Sequence, residues 1–180
     1  MGHSIGLTWP RYDAAVRSQV DLLLSLLDEA FEAGRWHSLI GNLSAVTQDD
    51  WDWVPAGGRR TIKDIVAHVG SCKRMYENHA FGDASLRWDQ PAVHGVGRLQ
   101  GPEEAREWLR EVQAQVRGSV ATLDDAELDR PRRTNSGEMA PTLWIVTVII
   151  EHDHYHAGEI NHIRSLRQGD RWAHDAPESS

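Results

Sequence analysis

Residues 141–168 read PTLWIVTVIIEHDHYHAGEINHIRSLRQ, opened by Pro141 and followed by Gly169. Proline loses nothing at the first position of a helix and glycine ends one, so this punctuation predicts a single continuous helix. At about 1.5 Å per residue it would run roughly 42 Å. Within it Ile145, Ile149, His152, His156, Ile160 and Ile163 recur at steps of four, three, four, four and three residues, the spacing of one buried face. Two histidines therefore lie in an apolar seam.

His152 and His156 leave the same face one turn apart, the geometry two imidazoles need to meet at one metal ion. Glu159, three residues further on, borders that face and reads as a ligand, an acceptor behind a ligand, or a proton-transfer group. His154 points some ~200° away from His152 at ~100° per residue and stays outside the site. Residues 152–156 read HDHYH, without the glutamate of HExxH, which excludes a zinc-protease reading.

A second stripe faces the first. Thr61 with Asp64 three residues on is a variant capping box, and Ile62, Ile65, Val66 and Val69 open a helix expected to reach about Phe81. On it Ile65, His68, Cys72 and Tyr76 share a face, so His68 is the natural third ligand in a site built from facing helices. Two further helices complete the set. One runs from Tyr12 to Ala33 with Val16, Val20, Leu23, Leu27 and Ala30 apolar, ended or kinked at Gly34. The other starts at Pro102, with Glu103 and Glu104 on its positive end and Ala105, Leu109, Val112, Val116 and Val120 buried. A shorter apolar segment spans His37 to Val46. The stretches 47–60, 82–101 and 124–140 read as loops, the last with one helical turn near 126–128. Four long amphipathic helices and no alternating run predict an all-α four-helix bundle, one metal-binding domain over residues 1–172 with a frayed tail at 173–180.

The composition is consistent with that reading. In 180 residues, 19 Lys and Arg stand against 27 Asp and Glu, a formal charge of −8, so no basic face for nucleic acid or anionic membrane is expected. No signal-type or membrane-spanning run is read, and a soluble cytoplasmic protein is the expectation. The single cysteine, Cys72, cannot form an internal disulfide, which fits a reducing compartment. On its own Cys72 reads first as a small buried hydrophobe, and next as a fourth ligand or nucleophile. Trp51 and Trp53 wall a pocket or cap the bundle, Trp36 and His37 mark the kink, and Arg130, Arg132 and Arg133 read first as a solvated loop and next as a binder of a carboxylate substrate. Three neutral nitrogen donors suit zinc, nickel, copper or iron, and spacing does not choose among them.

Two runs carry a family resemblance: RTIKDIVAHV at residues 60–69, preceded by Trp51, Trp53, Pro55 and Gly57, and EHDHYHAGEI at residues 151–160. In order and separation they resemble the second-helix and last-helix motifs of the DinB superfamily and its YfiT-like metalloenzymes. The resemblance covers most of Ser38 to Leu166. It implies an up-down-down-up bundle, frequent homodimers, and a divalent ion (zinc, nickel, manganese or iron) on three histidines matching His68, His152 and His156. Where the family often has Gln, this chain has Glu159. The activities implied are thiol-dependent: transfer of a low-molecular-weight thiol such as mycothiol or bacillithiol to a small electrophile, or a thiol-assisted isomerisation. Two other readings stand beside it. One is a hydrolase using metal-bound hydroxide with Glu159 as base, and the other a non-catalytic stress-response or binding protein whose metal only ties helices together.

Overall fold

The computed structural model describes residues 18–33 and 37–169. The start of the first helix before Ser18, Gly34, Trp36 and the expected tail at 173–180 lie outside the described residues, so the outer limits of the expected 1–172 domain do too.

The described chain is mostly helical. Helix α1 covers Gln19–Asp28, capped by Ser18, whose hydroxyl accepts from the Asp21 N–H, and runs into one π turn at Glu29–Ala33. Short helices α2 (Leu39–Leu43) and α3 (Gln48–Trp51) follow. Helix α4 covers Ile62–Phe81, with the Thr61/Asp64 capping box formed in both directions. Helix α5 covers Pro102–Ala121, with proline at its first position, and α6 covers Thr142–Gln168. The expected stripes face inward, since Val20, Leu23, Leu27, Ala105, Leu109, Val112, Val116, Val120, Ile145, Ile149, Ile160 and Ile163 are all buried. Helix α4 packs on α5 and α6, and α1 packs on the same two.

All three expected loops hold more order than the sequence reading assigned, 82–101 through a 3-10 helix at Pro91–His94. In 47–60, Thr47 and Asp50 cap α3 reciprocally. In 124–140, the expected turn becomes a 3-10 helix over Asp125–Asp129, and Pro131–Arg133 (β1) pairs antiparallel with Met139–Pro141 (β2). Three-residue strands are too short to show a period of two, which is why no strand was expected. The hairpin also corrects the reading of Arg132 as solvated. It bonds the Ala80 carbonyl, Thr142 Oγ1 and Glu127, and lies 5.0 Å over the Phe81 ring. These contacts pin the start of α6 to the end of α4.

The interior is two apolar clusters. One gathers Leu39, Leu43, Trp51, Ile65, Val69, Leu109 and Ile160, and the other Val20, Leu27, Tyr76, Val116, Ile145 and Ile149. Trp51 is fully buried, its indole N–H donating to the Leu99 carbonyl, so it belongs to the core. At the level where the clusters meet, the ammonium of Lys73 (α4) donates to Asp153 (α6) at 2.6 Å and to Gln113 (α5). The Gln113 amide donates in turn to the Leu27 carbonyl of α1. Lys73 also lies 4.8 Å over the Phe31 ring. All four long helices thus share one buried polar layer.

One close approach needs a glycine. A Cβ at Gly70 of α4 would fall 2.2 Å from the Trp108 ring of α5, and Trp108 is itself buried. Gly70→Ala is therefore expected to destabilise the protein by about 1–3 kcal/mol, the usual cost of overpacking. Urea unfolding would measure it, and an unchanged midpoint would contradict the α4–α5 contact.

Candidate metal centre

Midway along α4 and α6 the apolar stripes are interrupted at facing positions by His68 and by His152 and His156. The structure brings these three rings together. Centroids are 5.0 Å apart for His68–His152 and for His68–His156, and 4.4 Å for His152–His156. The nitrogens converge more closely still. His152 Nε2 lies 3.1 Å from His68 Nε2 and 3.2 Å from His156 Nε2. The seam is less buried than its spacing implied: His156 is buried, His152 half-buried and His68 exposed. The helix phase was right, but a face is buried only where a neighbour covers it, and on this side α4 and α6 meet solvent.

Each imidazole nitrogen offers one in-plane site, either a lone pair or an N–H. His156 Nδ1 lies 2.8 Å from Glu159 Oε2, so its proton sits on that side and the Nε2 lone pair faces the other rings. His152 Nε2 meets two partners with one site. A single proton on His152 Nε2 would have to be shared between both neighbours, whereas a cation accepts every lone pair. Tetrahedral metal–nitrogen bonds of about 2.05 Å would hold two nitrogens ~3.3 Å apart, close to the separations found. The three histidines fit a divalent ion.

Cys72, one turn after His68, is drawn into the cluster. Its Sγ lies 3.7 Å from His68 Nδ1 and 3.8 Å from His68 Nε2. Ligand atoms of His68, Cys72 and His152 all lie within 4.8 Å of one another, a group able to hold a metal ion. His37, by contrast, sits exposed in a turn.

Glu159 has both carboxylate oxygens engaged, Oε2 by His156 and Oε1 by Arg60 Nη1 at 3.4 Å. Arg60 lies just before the α4 cap, in the run RTIKDIVAHV, and nothing in its spacing marks this contact. The larger omission is the buried pair beside the histidines. Lys73 follows Cys72 and Asp153 follows His152, and both are almost wholly inaccessible. The sequence signal was there, since Asp153 falls between two site histidines, but a charge on a helix is usually solvated.

Electrostatics keep the rings neutral. Burial first, then repulsion from the charge His156 and His68 would carry and from Lys73 and Arg60, pulls His152 down to about 3 from its ordinary 6.5. Burial also lowers His68 and His156, and it pushes the Cys72 thiol up to about 11. Burial pulls Lys73 down and pushes Asp153 up, each opposed by the other's charge. Between about pH 6.5 and 3 the unfolded chain binds more histidine protons than the folded one. This stabilisation is complete above the unfolded value and is lost as pH falls. The melting temperature of metal-free protein is expected to decline below about pH 6.5, and more shallowly in His152→Gln; equal slopes by differential scanning fluorimetry would count against it.

No helix among the described residues is long and apolar enough to cross a membrane. No curated protein matches the chain. The family model described as the DinB superfamily matches residues 30–160, a span that takes in α4, α5, His68, His152, His156 and Glu159. With the helical fold and that match over most of its length, the chain belongs to the DinB superfamily.

Proposed function

We propose that His68, His152 and His156 hold one divalent ion between α4 and α6, in an up-down-down-up bundle formed by α1, α4, α5 and α6. The protein is then a metal-dependent enzyme of the thiol-dependent S-transferase or isomerase group. The observation that carries this is the convergence of imidazole nitrogens from two helices, His152 Nε2 lying 3.1 Å from His68 Nε2 and 3.2 Å from His156 Nε2. An ion bound there would stabilise the thiolate of a small exogenous thiol at neutral pH.

The chain's own residues supply the rest. Glu159 holds the His156 proton at Nδ1 and fixes the tautomer that frees Nε2, as carboxylates behind metal-bound histidines do. Arg60 steadies Glu159 and adds positive charge at the mouth. With both oxygens occupied, Glu159 is better placed to orient His156 than to act as a free base, which favours the thiol reading over the hydrolytic one. The exposed side of His68 gives a small substrate its approach.

Metal analysis of protein purified without an affinity tag tests the first half, with stoichiometric divalent metal as the expected result. Assays of the loaded protein with mycothiol or bacillithiol and an electrophile test the second. Activity without any thiol, lost in Glu159→Gln, would instead establish hydrolysis.

A further inference from the structure

The side chain that the three-histidine reading leaves unused is Cys72. It is 7% exposed and lies on the core side of the cluster, while His68 lies on the solvent side. A tetrahedral ion with a nitrogen bond of about 2.05 Å and a sulfur bond of ~2.3 Å separates those donors by roughly 3.6 Å. Cys72 Sγ stands 3.8 Å from His68 Nε2, and the group of His68, Cys72 and His152 closes within 4.8 Å. The sulfur also lies 3.7 Å from His68 Nδ1, beside the ring, so joining the ion calls for a shift of Sγ toward the Nε2 side. The approach of two further ring nitrogens to His152 Nε2 points to a cation there independently of the cysteine.

We propose that Cys72 is a protein ligand to the ion held by His68, His152 and His156, which makes the centre a mixed nitrogen–sulfur site selective for a thiophilic ion such as zinc over manganese. The proposal rests on the three-histidine reading. On binding, the Cys72 S–H bond breaks, its proton leaves to solvent, and the sulfur electron pair goes to the ion, with no change of oxidation state. Sulfur is a soft donor that gains much with zinc or cobalt and little with manganese. Because Cys72 approaches from the core, an exogenous thiol or water still has the outer side, and zinc can expand to five ligands.

Cobalt(II) added to chelator-stripped full-length protein separates the possibilities. Visible d–d bands report whether the ion binds in a low-symmetry site, and a near-ultraviolet sulfur-to-cobalt charge-transfer band reports sulfur. The expected result is both signals at one equivalent, with the near-ultraviolet band alone lost in Cys72→Ser. Zinc affinity should then fall by at least on the order of tenfold, a loss that even outer partners of a metal site produce. Cys72→Ala serves as a second variant, and circular dichroism checks that both fold. Cobalt bound without the charge-transfer band overturns the role of Cys72 and leaves the three histidines intact. No cobalt uptake at all overturns both.

Discussion

Asp153→Ala is expected to lower the unfolding free energy by about 3–5 kcal/mol, the cost of leaving one charge of a buried pair without its partner. Lys73 has almost no access to water, and its two acceptors are Asp153 and Gln113. Removing the carboxylate leaves an ammonium that must be desolvated alone or lose its proton. Lys73→Ala should cost a similar amount, because Asp153 would then stay buried with neither oxygen hydrogen-bonded; its Oδ1 already lacks a partner among the described residues. The double variant Lys73→Met/Asp153→Leu removes both charges at similar volume and is expected to recover most of the loss. Chemical denaturation of these variants checks this, with Lys73→Ala/Asp153→Ala closing the double-mutant cycle on the two alanine singles, and near-additive losses in that cycle would show that the pair is not coupled.

The second large effect concerns the ion. His152 Nε2 is the atom that touches both other rings, so His152→Ala takes out the centre of the cluster. Wild-type protein at an ion concentration of about 100 times Kd should gain about 2.7 kcal/mol from binding. For a chain of this size that is a rise in melting temperature of roughly 5–10 °C. In His152→Ala the rise should vanish, and calorimetric titration should show no site of comparable affinity. The metal-free variant should melt close to metal-free wild type, since a half-buried ring contributes little packing. An undiminished thermal shift in the variant would place the ion elsewhere.

The helices were legible because each carries its own boundary chemistry. Thr61 with Asp64, Pro102 before two glutamates, and Pro141 with Gly169 act within a few residues; α4, α5 and α6 begin, and α6 ends, within a residue or so of those signals. The histidine pair was legible for the same reason, as a four-residue step on a helix fixes two side chains relative to each other. The hairpin at 131–141 was not, because pairing β1 with β2 depends on α4 and α6 holding its ends together. Arg132 reads as a surface charge until Ala80, Phe81 and Thr142 are folded around it.

Local sequence therefore settled which residues are helical, which face of each helix is apolar, and that His68, His152 and His156 occupy such faces, since these follow from a fixed rotation of about 100° per residue. Tertiary packing decided what no periodicity encodes: the approach of α4 to α6 that brings His68 within 3.1 Å of His152, the exposure of His68 at the rim, the inclusion of Cys72, and the burial of Lys73 against Asp153. The physical reason is that burial and distance between helices depend on every neighbour at once, so a lysine and an aspartate 80 positions apart carry no mark of their pairing until both are enclosed.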